Sequence, residues 1–399
     1  MNIIDFILLL RNIFSKKPDI SKIQKQGLLA VKIAQVFALR VDFLSDESCL
    51  ELSKLYSQNF SGLDLSFDEI VSNYVDKSWY DYFEYIDKNP IASASIGQVH
   101  KAKLKNGDIV AIKFVKKEFS KVFLKDIKTI EGFLKFVIFF YPKLEKVANP
   151  LAVLEAIKKT TISELNLLNE ISNAEILNNV YKKYKDKIDI SRFALPKYYK
   201  ELSSENILVS EFVEGENFDK LLEEKKMDYK LLLDFFQIHG IFMFGEGVFH
   251  GDVHPGNIIY KNEKIYLIDN GAISETLLST RKGLFVFFEN LVKYDYKKCA
   301  DALLEMSVTK IKNTDKFYSE FESLYKDFRG KNVSQVSLTK QMMDTIKTAV
   351  HNGATFKDDM YPIIKSLMYL DGMVIKCNPN ADLISDLAPF IHDFKKFIG

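Results

Sequence analysis

Three polar side chains in the second half of the chain have the types and spacing that phosphoryl transfer requires. Asp252 and Asn257 lie five residues apart in the segment HGDVHPGN, and Asp269 follows a short apolar run that ends in LIDNG. In phosphoryl transfer a carboxylate orients the nucleophile and accepts its proton, while an amide oxygen and a second carboxylate hold Mg²⁺ against the phosphates. Few protein oxygens suffice, because water and phosphate complete the Mg²⁺ shell. The pattern predicts Asp252 as the catalytic carboxylate and Asn257 and Asp269 as magnesium ligands.

The same segment allows two other interpretations. The polar residues could form nothing more than two Asx-rich turns that flank a hairpin. Alternatively, His250, Asp252 and His254 occur at alternate positions and could bind a transition metal such as zinc. No helical HExxH pattern supports zinc, whereas the apolar strand before Asp269 is the context that the phosphoryl-transfer motif needs. We therefore expect His250 to hydrogen-bond within the loop and His254 to shape its turn.

A lysine upstream could supply the positive charge that phosphates require. Lys113 ends the run VAIK on the second strand of a hairpin predicted by Asn106-Gly107. A lysine there can pair with the α- and β-phosphates if an acidic residue holds it. Glu164 and Glu170 are both candidates, and their spacing on one continuous helix would turn them about 240° apart. The residues alone leave that choice open, and solvated surface side chains are the other interpretation.

The segment before this hairpin occupies the place of a glycine-rich phosphate loop. Its sequence is PIASASIGQ, with small residues at Ala92, Ser93, Ala94 and Ser95 and a single glycine at Gly97. Small side chains let backbone N–H groups approach a phosphate, but alanine adopts positive φ less freely than glycine. From the residues alone this loop is a weak phosphate site.

The elements that must position these residues alternate between helical and extended patterns. Apolar periodicity predicts helices over residues 20–60, 118–140, 151–184 and 230–246 and from 277 to the end. β-type runs predict strands over residues 96–104, 109–115, 206–213, 258–260 and 264–268, with a loop over 247–257. This order of helices, a small antiparallel sheet, helices, a short hairpin and helices predicts an α+β protein with two lobes.

Composition excludes several classes of protein. Of 399 residues, 47% are apolar and 27% charged, which is typical of a globular protein and not of a disordered or collagen-like one. The 55 basic and 54 acidic residues nearly balance, so the charge gives no footprint for nucleic acid. Three scattered cysteines indicate a reducing, cytosolic setting.

The apolar segments favour a protein without a membrane span. No apolar run reaches the roughly 18 residues that a span needs. The N-terminus, MNIIDFILLLRNIF, lacks the basic region and cleavage site of a signal peptide. It predicts either a helix packed on the domain, which we favour, or a short interfacial helix followed by Lys16 and Lys17. We expect any membrane contact to be peripheral, through this segment.

Five motifs occur in the order found in one known family. They are KIAQ, NPIASASIGQVHKAKLKNGDIVAIKF, ELNLLNEISNAE, HGDVHPGN and LIDNG. Over about residues 20–275 the chain resembles the UbiB-type atypical kinases, the aarF-domain family associated with coenzyme Q. The resemblance implies a protein-kinase-like bilobal fold. It implies an N-terminal helical extension over residues 1–80, an N-lobe over 81–213 and a mostly helical C-lobe over 214–399.

The resemblance also implies roles for the residues already singled out. Lys113 would bind the phosphates of ATP or ADP, with Glu170 as its partner on the following helix. Asp252 would be the catalytic aspartate, and Asn257 and Asp269 would hold Mg²⁺.

Further residues enter the nucleotide site through the resemblance alone. Ala92 to Ser95 would form the alanine-containing loop that replaces the glycine loop. Lys32 and Gln35 lie three residues apart and so share one face of the extension helix. In the family that lysine pairs with the glutamate of an E-x-D motif, which is Glu164 in this sequence.

The chain departs from the family pattern at three positions. Ala34 replaces a glycine, a change that we expect to tighten helix packing. Asn166 replaces the aspartate of E-x-D, which removes a negative charge near the nucleotide and puts that motif's role in doubt. Asn270 replaces the middle aromatic residue of a D-F-G-like motif, which we expect to be tolerated because the metal ligand is Asp269.

The resemblance implies an ATP-binding atypical kinase or slow ATPase that supports ubiquinone biosynthesis, acting on lipid precursors or their enzymes. Its partners would be a nucleotide and an isoprenoid lipid or quinone-biosynthesis proteins, with no nucleic acid. The implied location is cytoplasmic, with peripheral contact at the inner membrane left open. One alternative is a soluble phosphotransferase of the aminoglycoside or choline kinase type, which has the same catalytic loop but lacks the helix of Lys32 and Gln35. The other is a nucleotide-gated scaffold that turns over no substrate.

Overall fold

The computed structural model describes residues 1–38, 40, 43–56, 67–93, 97–115, 117–143, 149–311, 313–357 and 359–398. In the first part of the chain the helices are α1 (Ile3–Ile13), α2 (Ile20–Lys25), α3 (Leu28–Ala38), α4 (Asp46–Ser53), α5 (Phe67–Val71), α6 (Lys117–Phe140), α7 (Pro150–Glu164) and α8 (Leu168–Tyr184). Beyond them lie α9 (Phe218–Glu223), α10 (Tyr229–Gly240), α11 (Leu278–Leu291), α12 (Tyr296–Met306), α13 (Thr314–Tyr325), α14 (Leu338–His351), α15 (Met360–Cys377) and α16 (Leu383–Phe394).

The strands are short, and they fall into separate sheets. They are β1 (Phe83–Ile86), β2 (Ala92–Ser93), β3 (Gly97–Leu104), β4 (Ile109–Val115), β5 (Phe193–Ala194), β6 (Ile207–Glu211), β7 (Glu216–Asn217), β8 (Val248–His250), β9 (Ile258–Lys261), β10 (Lys264–Leu267) and β11 (Ile273–Glu275). The chain divides into two units, the first made of Met1–Ser172 and Pro196–Phe212 and the second of Asn173–Leu195 and Val213–Gly399. The three-part division at residues 80 and 213 stays a prediction.

A five-stranded antiparallel sheet organises the first unit. Its order is β1-β3-β4-β6, and β2 pairs with the other end of β3. The predicted β3–β4 hairpin is confirmed, and Gly107 turns it with a φ of +94° that glycine adopts without strain. Val110, Ile112 and Phe114 point into the core, so the alternation of β4 turns Lys113 to the opposite face.

The N-terminal helices of this unit are shorter than the sequence predicted. A single helix over 20–60 is wrong, because Gly27 takes a φ of +94°, which interrupts a right-handed helix between α2 and α3. One face of α1 is buried through Phe6, Leu9 and Ile13, as expected for a helix packed on the domain. Ile4 and Leu8 on its other face are exposed.

In the second unit, a helix leads directly into the strand that begins the predicted catalytic segment. α10 continues into a π-helical turn, Ile241–Glu246, and Gly247 then reverses the chain with a φ of +81°. β8 follows and pairs with β11, although the sequence predicted a loop over 247–257 and no strand at β11. The predicted β9–β10 hairpin is confirmed, and β10 also pairs in parallel with β5.

The rest of the second unit is helical, as predicted. Its core is rich in phenylalanine, including Phe235, Phe242 and Phe249. Asp371 in α15 is buried and accepts hydrogen bonds from the backbone of Leu338 and Thr339, so it caps the start of α14. None of the helices in the described part of the chain combines the length and apolar character of a membrane span.

Candidate functional site

The β9–β10 hairpin brings the two predicted metal ligands side by side. Ile258 pairs with Leu267, and the N–H of Ile268 donates to the carbonyl of Asn257 at 3.0 Å. Asn257 therefore precedes one strand where Asp269 follows the other. The Asn257 amide nitrogen donates to the Asp252 carbonyl at 3.3 Å, which leaves its amide oxygen as the atom suited to a metal ion. Amide and carboxylate oxygens are the hard donors that Mg²⁺ prefers, so this pair fits that ion.

His250 fixes the predicted catalytic loop, residues 250–257, through both of its ring nitrogens. Nδ1 accepts a hydrogen bond from the N–H of Asp252 at 3.1 Å, so the ring proton must be on Nε2. Nε2 donates to the carbonyl of Asp269 at 2.5 Å. Burial lowers the pKa of His250, which keeps this neutral form in place. The imidazole thus ties the backbone of the predicted catalytic residue to that of a predicted metal ligand.

These bonds confirm the loop role expected for the two histidines. His254 accepts from the N–H of Gly256 through Nδ1 at 3.0 Å and so closes the turn before Asn257. Among the described residues, no three His, Cys, Asp or Glu side chains are grouped so that they could hold a metal ion.

The Asp252 carboxylate has a lysine partner from the C-terminal part of the chain. The Lys365 ammonium on α15 lies 3.1 Å from Oδ1 of Asp252. Burial is the largest single influence and would raise the pKa of Asp252, but the Lys365 charge, together with the other groups around the carboxylate, holds that pKa below its usual range. Tyr369, one turn further along α15, interacts with the same carboxylate. Asp252 is therefore ionised near neutral pH, as a proton acceptor must be.

In the first unit, Lys113 forms an ion pair with Glu170. β4 carries Lys113 between Val99 of β3 and Leu208 of β6, so the backbone of this residue is fixed on both sides. Glu170 lies in the first turn of α8 and is 2% exposed. A buried carboxylate beside a half-buried lysine is the arrangement that holds such a lysine ready for a phosphate.

A second Lys–Glu pair lies in the same unit. Lys32 of α3 pairs with Glu164, the last residue of α7. Gln35 also lies on α3, and its amide donates to the carbonyl of Leu55 at 3.0 Å. The structure therefore gives each glutamate its own lysine.

Glu164 and Glu170 lie on different helices, so the predicted separation of about 240° on one continuous helix is wrong. α7 ends at Glu164, and Asn166 begins the next helix by accepting a hydrogen bond from the N–H of Leu168 at 3.1 Å. Asn169 donates to the carbonyl of Ser163 at 2.9 Å and fixes the corner. Asparagine favours such helix boundaries because its side chain can replace a backbone partner.

The predicted phosphate loop is only partly within the described residues. Ala92 and Ser93 form β2, whereas Ala94 and Ser95 lie outside the residues that the structure describes. Gly97 has a structural reason to be glycine, because a Cβ there would lie 2.0 Å from the carbonyl oxygen of Phe114. The close approach of β3 to β4 thus explains this glycine without a phosphate.

The other two departures from the family pattern are accommodated in the core. Ala34 is fully buried in α3, in agreement with the expected packing role. Asn270 is also fully buried, and its amide donates to the carbonyl of Leu267 at 3.0 Å. Its own carbonyl accepts from Asn173 at 2.8 Å. Asn270 thus makes hydrogen bonds in this buried position through its side-chain amide nitrogen and its backbone carbonyl.

Two contributors to the site were missed by the motif reasoning. Lys365 had no signal, because a lysine on a helix 113 positions after Asp252 resembles any surface lysine. Tyr369 lies in the segment YLDG, which is outside the five motifs and the range of about residues 20–275 that carry the resemblance. In that segment Asp371 has the structural role of capping α14, whereas Tyr369 interacts with Asp252, the predicted catalytic carboxylate.

Comparison with known proteins matches this chain to a kinase-like domain and to proteins named as probable kinases. The model of the ABC1 atypical kinase-like domain matches residues 64–303. A protein named as probable protein kinase UbiB from Blochmanniella pennsylvanica is 28% identical over 92% of this chain and 68% of its own length. A protein of the same name from an Enterobacter species is 26% identical over 94% of this chain and 69% of its own length.

Two further matches are less specific about activity. An uncharacterised protein encoded in the hydrogenase 1 5′ region of Clostridium pasteurianum is 26% identical over 92% of this chain and 69% of its own length. The solved structure of Rv3197 from Mycobacterium tuberculosis, in complex with erythromycin, has a TM-score of 0.53 and 18% identity over 83% of this chain and 81% of that one. The matches confirm the predicted α+β, bilobal kinase-like fold.

Proposed function

This chain belongs to the ABC1 atypical kinase-like family, of the UbiB type, and from that premise we propose that it uses ATP for phosphoryl transfer or hydrolysis. The observation that carries the proposal is the loop in which His250 joins Asp252 to Asp269 while the hairpin sets Asn257 beside Asp269. A carboxylate base and two oxygen ligands for a metal ion, fixed by backbone bonds, are the parts that phosphoryl transfer needs.

Each group of predicted site residues has a role in the proposed binding of Mg-ATP. Lys113, held by Glu170, binds the α- and β-phosphates of ATP, with the segment from Ala92 to Ser95 as the second phosphate contact. Lys32, Gln35 and Glu164 complete the nucleotide site. Mg²⁺, held by Asn257 and Asp269, would neutralise charge on the phosphates.

Asp252 acts as the proton acceptor in the proposed reaction. It takes the proton of a substrate hydroxyl or of water as that oxygen forms a bond to the γ-phosphorus, and the bond from that phosphorus to the bridging oxygen breaks to release ADP. The proton returns to solvent from Asp252 after the product leaves. The low pKa of Asp252 supports this role, because the carboxylate is ready to accept a proton at neutral pH.

Nucleotide binding with matched variants tests the site. Lys113→Ala and Asp269→Ala should each weaken binding of Mg-ATP by about tenfold or more, measured by titration calorimetry. The Asp269→Ala defect should vanish when EDTA removes Mg²⁺, whereas the Lys113→Ala defect should persist. The exposed Lys105→Ala and Asp186→Ala serve as controls of the same types. Unchanged Mg-ATP binding in both site variants would overturn the assignment.

We further propose that the chain supports isoprenoid quinone biosynthesis by acting on lipid precursors or their enzymes. The support for this proposal is that two relatives carry the name probable protein kinase UbiB, which suggests a role in ubiquinone biosynthesis. Quinone profiling in a deletion strain should show a depleted pool that wild type restores and Asp269→Ala does not. An unchanged quinone pool would count against the pathway and leave the site untouched. A pool restored by Asp252→Asn would instead favour a nucleotide-gated scaffold.

A peripheral membrane contact through the first unit is consistent with this role. On α1 the apolar side chains of Ile4, Ile7 and Leu8 are at least 50% exposed, although its opposite face is buried. The end of α6 exposes a cluster of aromatic rings, namely Phe136, Phe139, Phe140 and Tyr141. Apolar side chains beside lysines bind interfacial lipid.

Vesicle flotation tests this contact. Ile4→Ser with Leu8→Ser should reduce binding to anionic lipid vesicles, and Phe139→Ser should reduce it further. Leu277→Ser, at a comparably exposed apolar residue of the second unit, is the control. Equal flotation of all variants would refute the contact.

A further inference from the structure

The catalytic loop has no positive charge of its own. Residues 250–257 contain two histidines but no lysine or arginine. Phosphoryl transfer brings a carboxylate close to negatively charged phosphates, so a cation beside that carboxylate is expected. The cation that the structure places there is Lys365, whose ammonium lies 3.1 Å from Asp252 Oδ1.

The surroundings of Lys365 distinguish it from an ordinary surface lysine. Its side chain is 20% exposed, whereas Lys376 at the end of the same helix is exposed. The ammonium also lies 5.8 Å from the centre of the Tyr369 ring, a distance at which a cation is attracted to an aromatic face. A largely buried pair of this kind is screened less by solvent than an exposed surface pair.

α15 meets the catalytic loop through more than this one charge. The Tyr369 ring packs edge-on against His254, with 5.6 Å between ring centres, and His254 closes the turn before Asn257. The helix itself is anchored by buried Ile363 and by Asp371, which caps α14. The contact with Asp252 is therefore made from a rigid support.

We propose that Lys365 is a positioning residue for the catalytic carboxylate, with Tyr369 as the aromatic wall that holds its ammonium in place. This inference rests on the proposed function of Asp252. It makes α15 part of the catalytic apparatus, a role for which the motifs within residues 250–271 give no sign. Lys365 acts by keeping the Asp252 carboxylate oriented toward the nucleophile, and it leaves nucleotide binding to other residues.

The first test is a comparison of turnover and binding in the full-length protein. Lys365→Met should lower kcat for ATP turnover by about 10- to 100-fold, since it removes the orientation of a general base. The KM for ATP should change by no more than about twofold, because the lost contact is not with the nucleotide. Lys365→Arg should restore part of the rate, and Lys376→Met should match wild type.

A double-mutant cycle with Asp252→Asn separates positioning from a structural effect. In the Asp252→Asn background, Lys365→Met should cause little further loss of kcat, because the group through which Lys365 acts is no longer a base. A purely structural role would instead lower the rate by a similar factor in both backgrounds. Urea unfolding of each variant shows whether the folded fraction accounts for any loss.

The outcomes are distinct from those that test the proposed function. If wild type turns over ATP and Lys365→Met matches it, or if the two substitutions multiply, the positioning role is refuted and the nucleotide site stands. If wild type neither binds nor turns over Mg-ATP, the proposed function fails and the role of Lys365 fails with it. A selective loss of kcat, partial rescue by arginine and non-additivity with Asp252→Asn together support it.

Discussion

Two groups of candidate site residues are held in place by different kinds of interaction. In the second unit, His250, Asp252, Asn257 and Asp269 lie within twenty residues and are joined mainly by hydrogen bonds to backbone atoms. In the first unit, Lys113–Glu170 and Lys32–Glu164 join residues 57 and 132 positions apart through long side chains. Backbone bonds fix a geometry without a ligand, whereas ion pairs of long side chains depend on both partners and on salt.

The largest effect should come from removing the histidine that organises the loop. His250→Phe leaves the N–H of Asp252 and the carbonyl of Asp269 without their ring partner, and the loss of both hydrogen bonds should lower the free energy of unfolding by about 4 kcal/mol. It should also abolish most ATP turnover, since Asp252 and Asp269 lose their common support. Urea unfolding and steady-state kinetics measure the two effects.

His254→Phe is the matched control for this histidine. Its ring accepts one hydrogen bond, from the N–H of Gly256, whereas the His250 ring makes two, so a loss of about 1 kcal/mol is expected. Equal losses in the two variants would show that His250 has no special role in the loop.

The ion pairs of the first unit should respond differently, because their partners can be removed together. Lys113→Met leaves the Glu170 carboxylate without its lysine in a site that is 2% exposed, which should destabilise the fold by about 3 kcal/mol. Lys113→Met with Glu170→Leu should recover most of that loss, since the buried charge is gone. Lys103→Met, which breaks an exposed pair with Glu84 in the same sheet, should cost about 0–1 kcal/mol. A double variant as unstable as the single one would contradict this account.

The difference between contacts close along the chain and contacts between distant residues also determines how much of the fold and the site the sequence could predict. The loop residues lie close together along the chain and between short apolar strands, so their spacing alone predicted a phosphoryl-transfer site and the β9–β10 hairpin, and the structure confirms the hairpin. The β3–β4 hairpin was equally local, because Asn106-Gly107 specifies the turn. What local spacing could not identify was a partner far along the chain, and Lys365 is the clearest case.

The remaining errors have local causes that periodicity does not detect. β8 and β11 have three residues each, too few for an alternating pattern to stand out. The break between α7 and α8 depends on how Asn166 and Asn169 bond to the backbone, which apolar spacing does not reveal. The choice between Glu164 and Glu170 needed the family resemblance, because it depends on a fold over more than fifty residues.

Acidic pH should weaken the second unit through a buried histidine near the loop. His239 packs against Phe235 and Phe249, and burial lowers its pKa to about 3. In the unfolded chain that pKa is about 6.5, so the unfolded state binds the proton first as pH falls. The resulting stability is complete above pH 6.5 and is lost progressively toward pH 3. Between pH 7.5 and pH 5, this group alone should lower the free energy of unfolding by about 2 kcal/mol.

Urea unfolding of wild type and His239→Phe at the two pH values measures this contribution. The variant should lose about 2 kcal/mol less than wild type on acidification, because phenylalanine binds no proton. His392→Phe is the control, since His392 lies on the exposed side of α16. If wild type and His239→Phe lose stability equally, a different group accounts for the acid sensitivity of the second unit.

The smallest effect should come from restoring the charge that the family pattern has at Asn166. A carboxylate in Asn166→Asp can still accept the hydrogen bond from Leu168, and it adds a negative charge where the dipole of α8 favours one. We expect a gain of about 0.5 kcal/mol in the free energy of unfolding, reduced by salt. Asn169→Asp should have the opposite sign, because Asn169 donates to the Ser163 carbonyl and a carboxylate cannot. A loss of stability in Asn166→Asp would mean that repulsion from Glu164 and Glu170 exceeds the dipole effect, and that asparagine here relieves a crowding of charge around the two lysine partners.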